Sequence, residues 1–208
     1  RTYLEQDDTQ IAGSIATDNG MSASCDVEKK IKYDHVYQHN QTDLEFLRIR
    51  AERLGCVIRC EDKTIYFEKR KTDADSGITL KFSEQSDSLD DLLQEFHATM
   101  SSASIVKEVT VRGYDPEKNE EIVGSAKAAS SKLGKKAADK GAGDLGTAVT
   151  YVVDHPIYSK EEAEALAKAR LQDRLLDYIV ATGQCKGNPN IKTGIVIKIV
   201  VNEDEASD

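Results

Sequence analysis

Tyr37-Gln38-His39-Asn40-Gln41-Thr42-Asp43-Leu44-Glu45-Phe46-Leu47 passes from a polar extended run into an amphipathic helix within a few residues. Thr42 and Glu45 have the S/T-x-x-E spacing of a capping box: the threonine oxygen can accept the backbone N–H of Glu45, and the glutamate can reach back to the N–H of Thr42. Leu44, Leu47, Ala51 and Leu54 fall on one helical face, while Phe46 and Ile49 point elsewhere, which predicts a helix contacted on two sides. Gly55 supplies a left-handed stop. Residues 56–60 and 64–68, joined by the polar turn Glu61-Asp62-Lys63, read as a β-hairpin.

Upstream, Asp8-Thr9-Gln10-Ile11-Ala12-Gly13-Ser14-Ile15-Ala16 reads as a short helix. An Asp or Thr caps it, Ile11 and Ile15 stand four apart, and Gly20 lies beyond its end. Residues 23–27 read as a strand, and 28–36 fit neither pattern. Residues 1–71 thus read as a small α+β unit of helix and hairpin, and the polar, turn-rich 72–77 as a linker.

Composition changes after the linker. Residues 78–82 alternate as a strand does. Leu92, Leu93, Phe96 and Met100 recur at helical spacing, so periodicity alone predicts a helix over 92–100. Residues 105–114 alternate, with Val109 and Val111 opposite Glu108 and Thr110; Asp115-Pro116-Glu117-Lys118-Asn119 is a turn, and 120–125 returns as a second strand. Residues 124–146 hold five lysines among Ala, Ser and Gly, with Leu133 and Leu145 as the large apolar residues, and read as a mobile basic loop. Residues 149–153 form a strand ended by Asp154-His155-Pro156. Ser159 and Glu162 repeat the capping-box spacing, and Ala163, Leu166, Ala167, Leu171, Leu175 and Tyr178 line one face of the longest helix. A strand over 178–186, the turn Gly187-Asn188-Pro189-Asn190 and a strand over 195–201 follow. Residues 204–208 are an acidic tail.

The chain's 208 residues suffice for one large domain or two small ones. A formal net charge of −9 argues against general binding to a phosphate backbone, so no nucleic-acid partner is expected. No apolar run approaches the roughly 20 residues of a membrane span. The chain opens on Arg1 rather than Met, so an upstream segment is expected to be missing. Four cysteines do not suggest a disulfide scaffold. Cys56, Ile58 and Cys60 would share one strand face as reduced, packed thiols. His35 and His39, flanking Tyr37, read as polar strand residues.

No constellation looks catalytic, and no catalytic, cofactor-binding or metal-ligating residue is expected, His97 and His155 included. Asp90 with Asp91 and Glu161 with Glu162 are adjacent in sequence and do not converge on one substrate; charge at a helix end explains them better. There is no phosphate-cradling glycine loop and no nucleophile elbow.

Several segments, in order, resemble the phage late control D proteins: Arg1-Thr2-Tyr3 with Gln10-Ile11-Ala12, the stretch from Tyr37 to Leu47, Val109-Thr110-Val111-Arg112-Gly113-Tyr114-Asp115-Pro116, Val153-Asp154-His155-Pro156, and Glu161-Glu162-Ala163-Glu164-Ala165-Leu166-Ala167-Lys168-Ala169 running into Gly187-Asn188-Pro189. These are baseplate hub proteins of contractile tails, related to the spike-hub proteins of type VI secretion. The family often has Trp where this chain has Tyr114. It also starts with a β-barrel domain and ends on a closing hairpin, neither of which is legible here, so a fragment or a shortened member is expected. The resemblance implies a strand, not a helix, over 92–100. It implies that residues 78–203 form an antiparallel β-barrel like that of a tail-tube subunit, with the long helix packed outside. It further implies a structural role without catalysis in a virion tail baseplate. There the full-length hub is a homotrimer joining the hexameric tail tube to the trimeric spike protein, and the isolated chain would be a monomer or weak dimer. The stretch from Asp7 to Ala16, with Gly20 and Met21, also resembles a LysM peptidoglycan-binding repeat, which is the alternative reading.

Overall fold

A computed structural model of the chain describes residues 1–72, 75–82, 93–103, 105–127, 149–153 and 156–201. Among them are three helices and twelve strands, and the fold is α+β.

The first unit runs β1 (Thr2–Asp7), α1 (Asp8–Asp18), β2 (Ser22–Asp26), β3 (Lys32–Tyr37), α2 (Asp43–Arg53), β4 (Cys56–Glu61) and β5 (Thr64–Lys69). β1 pairs antiparallel with β3; β5 lies between β2, parallel to it, and β4, antiparallel to it. Asp7 caps α1, accepting the N–H groups of Thr9 and Gln10 while the Gln10 side chain returns to the Asp7 N–H. Thr42 and Glu45 close the box on α2 that their spacing predicts. Gly55, at φ +65°, then redirects the chain into β4.

The buried face of α2 differs from the one predicted. Phe46, Leu47, Arg50 and Ala51 are buried, whereas Leu44 and Ile49 are exposed. The helix docks through Phe46, whose ring stacks on Tyr3 at 5.7 Å, and through Arg50, which reaches Asp8 on α1. An arginine at a core position is invisible to a hydrophobic count, so that count tilts the face toward Leu44. Ile11, Ala12, Ile15, Leu47, Ala51 and Phe67 form the centre of this core.

The second part comprises β6 (Asp75–Phe82), β7 (Leu93–Met100), β8 (Glu108–Asp115), β9 (Glu120–Lys127), β10 (Val149–Val152), α3 (Lys160–Leu176), β11 (Ile179–Cys185) and β12 (Val196–Val201). β8 lies between β9 and β10, and α3 covers one face of that sheet, setting Ala163, Leu166, Ala167 and Leu171 against Val109, Val111 and Ile157. Gly124 makes this contact possible. A Cβ there would stand 2.4 Å from the backbone of Ala163 and Glu164.

Several expectations are corrected. Residues 93–100 are strand, because they pair along their length with β11; the periodicity reading of 92–100 loses to tertiary pairing, and Leu92 lies outside the described residues. The described strands of this part form three separate sheets of two or three strands rather than one closed antiparallel barrel over 78–203. Two of the pairs, β10 with β8 and β12 with β6, are parallel. Their partners are joined through intervening strands and long connections, which parallel pairing requires. The 72–77 linker is shorter than its composition suggests: β6 begins at Asp75, where it pairs with Val196 of β12, and the Ser76 hydroxyl donates to the Val196 carbonyl. The strand predicted over 105–114 begins at Glu108, with Ile105 and Val106 buried ahead of it. Residues 124–127 of the 124–146 loop belong to β9, paired from Gly124 with Val111 to Lys127 with Glu108. The rest of that loop, Asp90, Asp91, Asp154, His155 and the tail 204–208 lie outside the described residues.

Candidate assembly surfaces

Charged side chains stitch the first unit to α3. Arg53, at the end of α2, donates to the carboxylate of Glu162 and, at 3.3 Å, to the carbonyl of Pro156. Glu162 is buried, and its second oxygen accepts the Tyr158 N–H at 3.0 Å. The capping box predicted for Ser159 and Glu162 is therefore half made. Ser159 accepts the Glu162 N–H at 3.1 Å, but the glutamate turns to Arg53 and Tyr158 instead of the Ser159 N–H. Arg70 with Asp173, Lys168 with Glu28 and Lys192 with Glu61 continue the seam. Gly55 lets the chain after α2 lie against Ala169 of α3, a Cβ there reaching 3.4 Å from it.

Behind the seam, Arg50 holds Asp8 with two bonds of 2.6 and 3.2 Å and stacks over the Tyr33 ring at 4.3 Å. Burial pushes the Asp8 carboxyl above its ordinary range, against the pull of Arg50. The Tyr33 hydroxyl is pushed up by the same burial, with the Asp8 charge adding to it. A general base needs a partner it can reach on a substrate. Asp8 and Glu162 are buried and held by arginines, so the geometry gives them the work of joining elements.

The second part leaves strand surfaces uncovered. Val153, Tyr158 and Tyr151 are 72%, 71% and 60% exposed, and Tyr114, Val123 and Val149 are exposed with them. Arg112 lies 5.4 Å over the Tyr151 ring, the kind of cation–aromatic pairing common at interfaces. Along β11 every residue from Ile179 to Gln184 is exposed, on both faces of the β7–β11 ribbon. A ribbon of two strands is marginal by itself, and large uncovered apolar strand surface marks an interaction site.

Over residues 1–201 the chain matches the family described as the Alg8 N-terminal domain. It belongs to that family. No curated protein matches the chain. Among solved structures it is similar to the 43 kDa tail protein of prophage MuSo2 from Shewanella oneidensis, with a TM-score of 0.64 and 13% identity, covering 100% of this chain and 60% of that one. It is also similar to the tail protein from Neisseria meningitidis MC58, with a TM-score of 0.67 and 13% identity over 99% of this chain and 60% of that one. The prophage tail protein gp18 from Listeria monocytogenes EGD-e gives a TM-score of 0.58 and 13% identity over 94% of this chain and 56% of that one. The chain thus spans 56–60% of the length of these structures, and at this identity the likeness is one of fold.

Among the described residues, those singled out in the sequence do not come together as a site. His35 and His39 each pack against the Tyr37 ring, with centroids 6.5 and 5.7 Å from it. His97 is exposed on β7 opposite Thr182. Among the described residues no three His, Cys, Asp or Glu side chains converge as metal ligands, and no helix is long and apolar enough to cross a membrane. Cys56 is buried and Cys60 exposed, so the shared face of β4 is covered only at its start. Burial pushes the Cys56 thiol up to about 12, which keeps it protonated. Sequence reasoning missed the buried charges Asp8, Arg50 and Glu162 and the partly buried Arg53. One signal was available: Arg50 stands four residues after Phe46, on the same helical face.

Proposed function

We propose that the chain is a structural subunit of a contractile phage tail or a related injection system, a non-enzymatic baseplate hub or adapter of the late control D type. In this reading it joins the hexameric tail tube to the trimeric spike protein, as a homotrimer when full-length, in the virion tail baseplate. The observation that carries the reading is the fold, shared over 94–100% of this chain with three tail proteins.

The segments that resemble the late control D proteins have roles that fit a framework. Gln38 is buried and binds the Gln41 carbonyl at 3.1 Å and the Asp43 carboxylate at 2.9 Å, which fixes the turn into α2. Val109 and Val111 are core, and Asp115 accepts the N–H groups of Glu117 and Lys118 to hold the β8–β9 turn. The exposed strand surfaces supply what such a subunit needs, which is area complementary to neighbours rather than a reaction centre. We assign residues 1–71 to the α+β hub unit and 78–203 to the tube-like unit, with α3 as the element that joins them. The stretch resembling a LysM repeat is largely spent on the core, since Asp8, Ile11, Ala12, Ile15 and Ala16 are buried.

The test is to tag the chain in a host producing tails and locate the tag by cryo-electron microscopy. The expected place is the ring between tube and spike, and deletion of the gene should give tubes without spikes. A tag on the sheath overturns the assignment. Binding of the chain to peptidoglycan that survives high salt and is lost on deleting residues 1–30 supports the LysM reading instead.

A further inference from the structure

Asn19-Gly20 is the one Asn-Gly pair in the chain, and Asn19 is the residue that caps the end of α1. Residues 17–20 are all exposed. Gly20 lies at φ +67°, and a Cβ placed on it would meet nothing within 4 Å, so no neighbour crowds the residue after the asparagine. Asparagine is chemically labile, most of all before glycine, where no side chain shields the following peptide nitrogen and the backbone turns freely.

The amide of Asn19 also ties two helices together. Its Nδ2 donates to the Ile15 carbonyl at the end of α1, at 2.9 Å, and to the carboxylate of Asp43, the first residue of α2, at 3.2 Å. Arg1 stands at the same junction, 3.0 Å from Asp18 and 3.9 Å from Asp43, so one guanidinium already serves two carboxylates.

We propose that Asn19 is a site of self-modification, at which attack by the Gly20 nitrogen turns the amide into a carboxylate and breaks the tie between α1 and α2. The Gly20 N–H gives its proton to hydroxide, and the nitrogen bonds to Cγ of Asn19. The Cγ–Nδ2 bond breaks, and ammonia leaves with a proton taken from water. Water then opens the resulting succinimide at either carbonyl, to aspartate or to isoaspartate. Both products lack the two donated bonds. Both set a negative charge beside Asp43 and at the negative end of the α1 dipole. Arg1 is then left with three carboxylates.

The folded junction holds the reaction back. The Gly20 N–H donates to the Thr17 carbonyl at 3.0 Å, and Nδ2 is engaged at both its acceptors. Conversion therefore runs through opening of the last turn of α1, and its rate reports that opening. A converted junction cannot remake the tie, so a transient opening becomes a permanent one. The inference does not depend on the tail assignment.

The test is to incubate the full 208-residue chain at mildly alkaline pH and follow the tryptic peptide that ends at Lys29 by mass spectrometry. Exchange of amide for acid should appear at Asn19 ahead of the other asparagines, with isoaspartate found by enzymatic methylation. Asp43→Ala removes one of the two acceptors and should speed conversion about fivefold, the factor that one net hydrogen bond supplies. The rates are compared at a temperature where circular dichroism shows both chains folded. Asn19→Asp sets the product's charge in place directly. Its amide exchange should be faster than the parent's at the end of α1 and the start of α2, and unchanged on β8. Conversion of Asn19 no faster than that of the other asparagines, a rate unmoved by Asp43→Ala, or exchange on α1 and α2 unmoved by Asn19→Asp overturns the inference.

Discussion

Arg53 and Glu162 are paired across 109 residues of chain, and their bond fastens the end of α2 to the first turn of α3. The same glutamate accepts the Tyr158 N–H and offers its own N–H to Ser159, so one side chain organises both the start of α3 and its contact with the first unit. The two functions separate by mutation. Ser159→Ala removes the cap and should cost about 1 kcal/mol. Glu162→Ala also strands a nearly buried guanidinium, and should cost about 3–5 kcal/mol. Urea unfolding of both variants checks this; equal losses would mean the Arg53 bond adds nothing.

The Asp8–Arg50 pair makes a sharper case, because both side chains are almost fully buried. Asp8→Ala or Arg50→Ala alone should destabilise by about 3–5 kcal/mol, since each leaves an unpaired buried charge. Asp8→Leu combined with Arg50→Met should recover most of that loss, because a well-packed apolar pair avoids the desolvation of two ions. A double-mutant cycle by thermal unfolding reads the coupling.

Acid stability has two opposing parts. The Gln38 side chain, helped by Asn19 and Arg1, holds Asp43 below the ordinary carboxylate range. Asp7 is held low as well: burial opposes this, but the Thr9 hydroxyl and the N–H groups of Gln10 and Thr9 prevail. A depressed folded value adds stability above the unfolded value of about 3.9, which is lost as pH falls through the folded one. Asp8 has the reverse sign. Its raised folded value makes the native state bind the extra proton between the two values, so its contribution declines as pH rises through that window. Asp43→Asn should therefore flatten the loss of stability on acidification, and urea midpoints measured across the acid range test it. An unchanged slope would mean Asp43 titrates alike in both states.

Gly124→Ala should destabilise by about 1–3 kcal/mol, because the added methyl meets the backbone of α3 and no rotamer can relieve it. Gly187→Ala is the control: nothing lies within 4 Å of its Cβ, and a small gain is expected from a stiffer unfolded chain. Thermal unfolding of the two variants should move in opposite directions.

Local signals were legible where local chemistry decides. The Thr42–Glu45 box, Gly55 and the hairpin of β4 and β5 follow from spacing and turn residues, and the structure has all three. What escaped were features set by distant partners. Nothing within 92–100 says that β11 will pair with it, so its apolar spacing alone reads as a helix, and only the family resemblance implies the strand that 93–100 form. The Ser159–Glu162 spacing is that of a full box, yet the glutamate is taken by an arginine over a hundred residues away. The closed antiparallel barrel is what that same resemblance implies, and the described strands of the second part instead form small sheets in which two of the strand pairs are parallel.

The last prediction concerns assembly, and it rests on the hub reading. The exposed β7–β11 ribbon and the outer edge of β12 leave backbone groups without strand partners among the described residues. Such edges invite pairing with another copy. One strand edge, however, contributes little area, whereas specific interfaces bury on the order of 1,200 Å² or more. In the proposed hub, ring contacts also involve a further barrel, and this chain spans only 56–60% of the tail proteins whose fold it shares. The isolated 208-residue chain should then be a monomer or a weak, edge-paired dimer, while the full-length hub is a trimer. Light scattering over a concentration series should show a mass that rises slowly with concentration, and a proline in place of Ile199 on β12 should suppress the rise. A tight trimer that persists on dilution would show that the trimer contacts lie within residues 1–208.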